Sequence, residues 1–231
     1  MIHISNLGAG YGGQPVLQNL WLQLAAGQAH GIAGLNGSGK TTFFKVLAGL
    51  LKPSAGKVLL NGQALNRQQV AFLETENFFY SNITGAEYLS VFPGEGFRLQ
   101  EWNQLFMLPL NELAENYSTG MKKKLALMAM LKLDRPVLVL DEPFNGIDME
   151  TAWLLKNLLG RLRDKGHTLL VSSHIIETLE GLCDTLHYIE NGQIAFSSTG
   201  GNVQQLKEQI FGKASTTINQ ALDNLLGGTP L

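Results

Sequence analysis

Residues 34 to 41 read GLNGSGKT, and the rest of the chain is best read outward from them. The stretch matches Gly-x-x-x-x-Gly-Lys-[Ser/Thr]. It stands between a short apolar run at 28–33 and a helical pattern, KTTFFKVLAGLL, that starts near Gly39 and ends before Pro53. Gly34, Gly37 and Gly39 let the backbone take positive φ and approach a phosphate closely. Successive N–H groups then point inward as an anion nest, and the helix behind adds the positive end of its dipole. Lys40 can reach the β and γ phosphates of a nucleotide, and the Thr41 hydroxyl can bind Mg²⁺. In a chain with 26 glycines the same pattern could be an ordinary glycine turn before a helix, so the neighbouring segments have to decide.

A second segment supports the nucleotide reading. Residues 137 to 143 read VLVLDEP. A continuous apolar run is the pattern of a parallel strand covered on both faces. Asp141 then lies at the carboxyl edge of a sheet, where such sheets bind ligands. Asp141 can hold Mg²⁺, and Glu142 can orient or deprotonate an attacking water. Taken alone, the two acids could equally be a solvated strand end.

Around these motifs the pattern is mostly strand and helix in alternation. Strands are predicted at 2–7, 16–24, 28–33, 57–60, 70–73, 137–140 and 168–171, with a pair at 184–190 and 193–197 flanking Asn191-Gly192. Gly8 to Gly13 reads as a glycine-rich turn. Thr84 with Glu87 forms a capping box that opens a helix through Leu89. Helical spacing recurs at 98–106 and 119–133, so 80–133 is expected to form a mostly helical lobe. A long helix is expected from Asp148, its N-cap, to Asp164. Beyond Gly200 the pattern is helical from Ile218 to Leu226.

Between the two phosphate-side motifs lies NYSTGMKKKL, residues 116 to 125. It resembles the signature of ATP-binding cassette (ABC) proteins in a Tyr-Ser-x-Gly-Met version. Residues 145 to 148, NGID, look like that family's D-loop. Residues 172 to 174, SSH, place His174 as its switch histidine, and Tyr11 in YGGQPVL matches its adenine-stacking aromatic. Singly, Ser118 and Gly120 could just cap a helix, Tyr11 could be a turn aromatic and His174 could be structural. Their order along the chain carries the resemblance, which covers about residues 1 to 200. Lys122 to Lys124 stay outside it and read as a solvated helix surface.

The resemblance implies an α/β fold, a P-loop NTPase with a RecA-like core, an antiparallel β subdomain and a helical subdomain at about 80–133. Residues 1–200 would form the ATPase domain and 201–231 a partly helical tail. It implies ATP with Mg²⁺ as the bound species, with Tyr11 stacking on adenine and Val16 lining the same pocket. Asn36, Gly37, Ser38, Gly39, Lys40, Thr41 and Thr42 would hold the phosphates, and Thr41 and Asp141 the metal. Glu142 and His174 would be catalytic. Ser118 and Gly120 would reach the γ-phosphate of ATP bound by a second subunit, in a head-to-tail homodimer that drives a separate transmembrane permease at the inner face of the cell membrane. The Tyr-Ser-x-Gly-Met form is similar to that of export-type cassettes. One departure stands out: Thr75, in LETEN, occupies the place where the family usually has a metal-binding glutamine. Glu76 is a candidate substitute, unless Glu74 and Glu76 belong to a solvated loop.

Composition narrows the competing functions. Charged residues make up 16% and the net charge is −2, which gives no bulk electrostatic case for nucleic acid. Cys183 is the single cysteine, so no internal disulfide forms, and no Cys/His spacing suggests zinc. The start, MIHISNLGAGYGG, has no secretory pattern, and no apolar stretch is long enough to span a bilayer. The span from Lys40 to Asp141 leaves no room for the long coiled coil of chromosome-maintenance relatives. No Asn-Lys-x-Asp guanine motif occurs. A soluble non-transport ABC ATPase and a regulatory cassette with weak turnover remain as alternatives to a transporter subunit.

Overall fold

The computed structural model describes residues 1–210 and position 225. Two sheets organise it. The first is antiparallel, with β1 (Ile2–Tyr11), β2 (Gln14–Leu24), β4 (Ala55–Leu60) and β5 (Gln63–Ala64) in the order β2-β1-β4-β5. The expected glycine turn over Gly8–Gly13 shrinks to Gly12 and Gly13. The β1–β2 ladder continues through Gly10↔Pro15 and Tyr11↔Gln14, so a two-residue turn closes the hairpin.

The second sheet has the order β10-β9-β3-β8-β7-β6. Its strands are β3 (Ala29–Ala33), β6 (Val70–Leu73), β7 (Val137–Leu140), β8 (Thr168–Ser173), β9 (Thr185–Glu190) and β10 (Gln193–Thr199). All neighbours pair in parallel except β10, which folds back on β9 through the predicted Asn191-Gly192 turn. Both faces are buried, which is why β7 reads as an unbroken apolar run. Val137 and Val139 pack with Phe43, Phe44 and Leu47 of α1 (Lys40–Leu47) and with the antiparallel sheet. Leu138 and Leu140 face the other layer.

That other layer holds α2 (Gly85–Ser90), α3 (Leu99–Phe106), α4 (Thr119–Lys132) and α5 (Met149–Asp164). Local rules set their starts. Thr84 Oγ1 accepts from the Glu87 N–H at 3.2 Å, and Glu87 Oε2 accepts from the Thr84 N–H at 2.7 Å. Ser118 Oγ accepts from the Met121 N–H at 3.3 Å at the head of α4. Asp148 Oδ1 accepts from the Thr151 N–H at 2.8 Å at the head of α5. Tyr88, Leu89, Phe106 and Leu125 join Leu73 and Leu140 in one continuous core.

Past β10, residues 203–210 are helical, with Val203 and Leu206 buried. Val203, Leu206 and Ile210 span too few turns to announce a helix by periodicity. The pattern expected over Ile218–Leu226 lies, but for position 225, outside the described residues. Among the described residues no helix is long and apolar enough to cross a membrane.

Candidate functional site

The carboxyl ends of β3, β7 and β8 meet at one edge of the parallel sheet: Ala33 pairs with Ser173, and Leu140 with Val171. The chain leaves these ends as Gly34, Asp141 and His174. They border a cleft of about 460 Å³ lined by residues 36–42 with Val16, Thr75, Glu142, Asn145 and His174. Size alone does not single it out. A hollow of about 490 Å³ beside Arg98 and Trp102, and another of about 650 Å³ beside Phe78, are as large. The lining decides, because this cleft combines a glycine-rich loop at a helix N-terminus with an acid at a strand end, and the other two hollows do not.

The loop is built to receive an anion. Gly37 and Gly39 have φ of 79° and 112°, values open to glycine at little steric cost. Gly34, expected to share that conformation, does not, and its lack of a Cβ serves close packing instead, since one would meet Ile189 O at 2.6 Å. Lys40, buried, donates to Gly34 O at 2.7 Å and Leu35 O at 3.2 Å, and lies 3.5 Å from Glu142 Oε1. Ser38 Oγ is buried with no hydrogen-bond partner among the described residues, a cost that native structures normally offset with a ligand or water. The β9–β10 turn holds the loop from behind: the Gly192 N–H donates to Ser38 O at 3.0 Å.

The acids are held just as closely. Asp141 is 1% exposed. Its Oδ2 accepts from Thr41 Oγ1 at 2.6 Å and its Oδ1 from Ser172 Oγ at 2.5 Å. Ser172 Oγ in turn accepts from the Glu142 N–H at 2.9 Å. Glu142 has φ of +50°. His174 Nδ1–H donates to Glu142 Oε2 at 3.0 Å, so the carboxylate orients the ring. Lys123 Nζ donates to Glu142 O at 3.0 Å and Asn145 O at 2.9 Å.

The structure thus gathers Val16, Asn36 to Thr42, Asp141, Glu142 and His174 at one place. Ser118 and Gly120 stand elsewhere, at the N-terminus of α4, and Ser118 is exposed. Tyr11, 49% exposed at the end of β1, does not line the cleft. Thr75 lines it and Glu76 does not. Glu76 borders a neighbouring hollow with Thr119 and Lys122, which Thr75 lines as well.

The lysine run departs from its expected solvated surface. Lys123 is only 6% exposed, and burial pushes its pKa down against the raising charges of Glu142 and Asp141. Ser172 was legible only as the first serine of SSH. It stands on β8 between the apolar run Leu169–Val171 and Ser173, and nothing local marks its hydroxyl as the link between two acids.

The chain resembles known proteins over most of its length. Residues 17–145 match the ABC transporter family. A putative ABC transporter ATP-binding protein of Synechocystis sp. is 35% identical over 213 residues, which are 84% of this chain and 72% of that one. This chain belongs to the ABC transporter ATP-binding family. The Nod factor export ATP-binding protein I of Burkholderia lata is 34% identical over 209 residues, covering 83% of this cassette and 68% of that protein. Among solved structures, an ATP-binding subunit of an ABC transporter superposes with TM-score 0.81 at 28% identity, over 91% of this chain and 93% of the other. A dimeric cassette bound to ADP and Pi superposes with TM-score 0.76 at 20% identity, over 86% and 98%, and shows the shared fold. As an ABC cassette the chain binds and hydrolyses ATP, and it serves as the ATPase subunit that powers a permease.

Proposed function

We propose that this cassette is the ATPase of an exporter, acting as a homodimer on the inner face of the cell membrane with a separate permease. The export assignment rests on the Tyr-Ser-x-Gly-Met signature and on the Nod factor export relative. The observation that carries the catalytic reading is the hydrogen-bonded chain Thr41–Asp141–Ser172–Glu142–His174 at one cleft.

In this reading residues 36–42 cradle the phosphates, with Lys40 turning from loop carbonyls to β and γ oxygens and Ser38 Oγ gaining the partner it lacks. Val16 lines the same cleft, and Tyr11 supplies the face for adenine. Thr41 and Asp141 are two oxygen donors on facing elements, the sparse set that suits Mg²⁺ shared with a substrate's phosphates. When bound there, the ion neutralises charge on β and γ oxygens. Glu142 accepts a proton from water as the water oxygen bonds to the γ-phosphorus and the bond to the β–γ bridging oxygen breaks, leaving ADP and Pi. His174, aligned by Glu142, contacts the γ-phosphate.

The partner's signature completes the site. Ser118 Oγ already accepts from the Met121 N–H, which leaves its own hydrogen free to donate to a phosphate oxygen. Gly120 lies in the first turn of α4, where N–H groups and the helix dipole favour an anion. ATP between two such surfaces supplies the charge that closes them, and hydrolysis removes it. The permease side is assigned to the groove beside Phe78 and Tyr80, 73% and 60% exposed. Its wall includes Phe72 of β6, and two residues past the end of that strand the chain reaches Thr75 in the cleft, so a bound permease segment would sense the nucleotide.

Glu142→Gln tests the reading. It keeps the shape of the side chain and removes the proton acceptor, so turnover should fall by about 10²–10⁴-fold while ATP still binds and drives a dimer seen by light scattering. A variant that hydrolyses ATP at the parent's rate sinks the assignment.

A further inference from the structure

Glu142 carries its carboxylate on a backbone that its own chemistry disfavours. At φ +50° a residue with a Cβ meets its own carbonyl, and such a conformation persists only where the surroundings over-determine it. Here they do so from both sides. The peptide before Glu142 is pinned through its N–H, donated to Ser172 Oγ at 2.9 Å. The peptide after it is pinned through its carbonyl, which accepts from the Asn145 N–H at 3.2 Å and from Lys123 Nζ at 3.0 Å. The next residue is Pro143, which has no N–H to offer. Fixing both peptide planes fixes the Cα–Cβ direction, and with it where the carboxylate starts.

We propose that Lys123 and Ser172 are positioning residues that lock the main chain of Glu142 and so aim its carboxylate into the cleft. This rests on the proton-accepting role assigned to Glu142 above. Neither pin is free to relax. Ser172 is fully buried and commits its own hydrogen to Asp141 Oδ1, so its lone pair stays aimed at the Glu142 N–H. Lys123 is nearly buried and spends a second donor on Asn145 O at 2.9 Å. A buried ammonium is costly unless hydrogen-bonded, and these two carbonyls are the acceptors that justify one at this position. Lys123 also sits on the helix that Ser118 caps. The surface that meets a partner's nucleotide and the carboxylate of its own cleft therefore share one short connection.

Lys123→Met keeps the length of the side chain and removes its donors. Because the phosphate loop is untouched, KM for ATP should stay within about threefold, while kcat falls about 10- to 100-fold, the scale set by a displacement near 1 Å. ATP-driven dimerisation should persist, and Lys123→Arg, which restores donors, should recover much of the loss. Ser172→Ala, assayed at saturating Mg²⁺, acts on the other peptide plane and should give the same split; it decides the question if Lys123→Met does not fold. The double variant should be little worse than the poorer single one, since both release the same residue. Unchanged kcat in both single variants overturns the proposal. So does a parallel fall of kcat, ATP affinity and melting temperature, which would leave only a role in stability. Glu142→Gln measured alongside separates the two levels. If it is inactive while Lys123→Met is normal, only the lock fails; if it is active, the role of Glu142 fails with it.

Discussion

Acidification should loosen the sheet that carries the phosphate loop, through a relay of two buried histidines. His30 on β3 and His187 on β9 are 1% and 5% exposed, and their protons can be assigned from one end. Ala25 O can only accept, so His30 Nε2, 2.9 Å away, carries the hydrogen. His30 Nδ1 must then accept, from Thr185 Oγ1 at 2.7 Å. Thr185 Oγ1 in turn accepts from His187 Nε2–H at 3.0 Å, and His187 Nδ1 accepts from Ser197 Oγ at 2.8 Å. Every bond is satisfied with both rings neutral. A proton added at His30 Nδ1 would face the Thr185 hydrogen and force it out of the relay.

The pKa directions follow. Burial, then the neighbouring His30, pushes His187 down from 6.5 to about 4. Burial also lowers His30, against the raising effects of the Ala25 carbonyl and the Asp184 charge. Because the folded pKa lies below the unfolded one, the unfolded chain takes up the proton first. Stability is full above about pH 6.5 and is lost as the pH falls toward 4. At 1.36 kcal/mol per pH unit, His187 alone costs about 2 kcal/mol by about pH 5 and about 3 kcal/mol below pH 4. Glu87, Asp148 and Glu177 are held below the usual carboxylate range by hydrogen bonds from Thr84, Thr151 and Lys207, and His187→Gln leaves all three in place, so the comparison of the two proteins isolates the histidine. The assay is urea unfolding by far-UV circular dichroism across that range, for the parent and for His187→Gln. The variant should be less stable at neutral pH, yet its loss on going to about pH 5 should be smaller than the parent's by about 2 kcal/mol. Equal losses in the two proteins would refute the reasoning.

Two further expectations address the loop and the groove. A Cβ on Gly192 would meet Val16 O at 1.9 Å, at a residue with φ of +74°. Gly192→Ala should therefore displace the turn that donates to Ser38 O, with a stability loss of about 1–3 kcal/mol and weaker ATP binding, read by thermal unfolding and nucleotide titration. Phe78 and Tyr80 form an exposed edge-to-face pair with ring centroids 5.1 Å apart. Replacing both with Ser should leave the isolated cassette's ATPase within about twofold, as surface changes usually do, and abolish co-purification of a permease. An unchanged yield of permease would move the docking surface elsewhere.

What could be read from the chain, and what could not, divides by where each residue's partners lie. The phosphate loop, the Thr84–Glu87 capping box, the Asp148 N-cap and the Asn191-Gly192 turn are rules between near neighbours, and each took its expected form except at Gly34, which is not at positive φ. The glycine run at 8–13 misled because glycine permits a turn without requiring one. Pairing with β2 kept Gly8 and Gly10 in strand and left positive φ to Gly12 and Gly13. Ser172 and Lys123 were hidden for a different reason. Ser172 meets Asp141 across 31 residues, and Lys123 meets Glu142 and Asn145 across 19 and 22. No local pattern encodes those distances. In a run of three lysines, helical geometry alone predicts that they fan around the helix and stay in water. Only the path of the chain after β7, which folds the Glu142 and Asn145 carbonyls back onto α4, selects the middle one for burial. The phosphate-binding half of the site is thus written in consecutive residues, whereas the half that aims the carboxylate exists only once β7, β8 and α4 have packed.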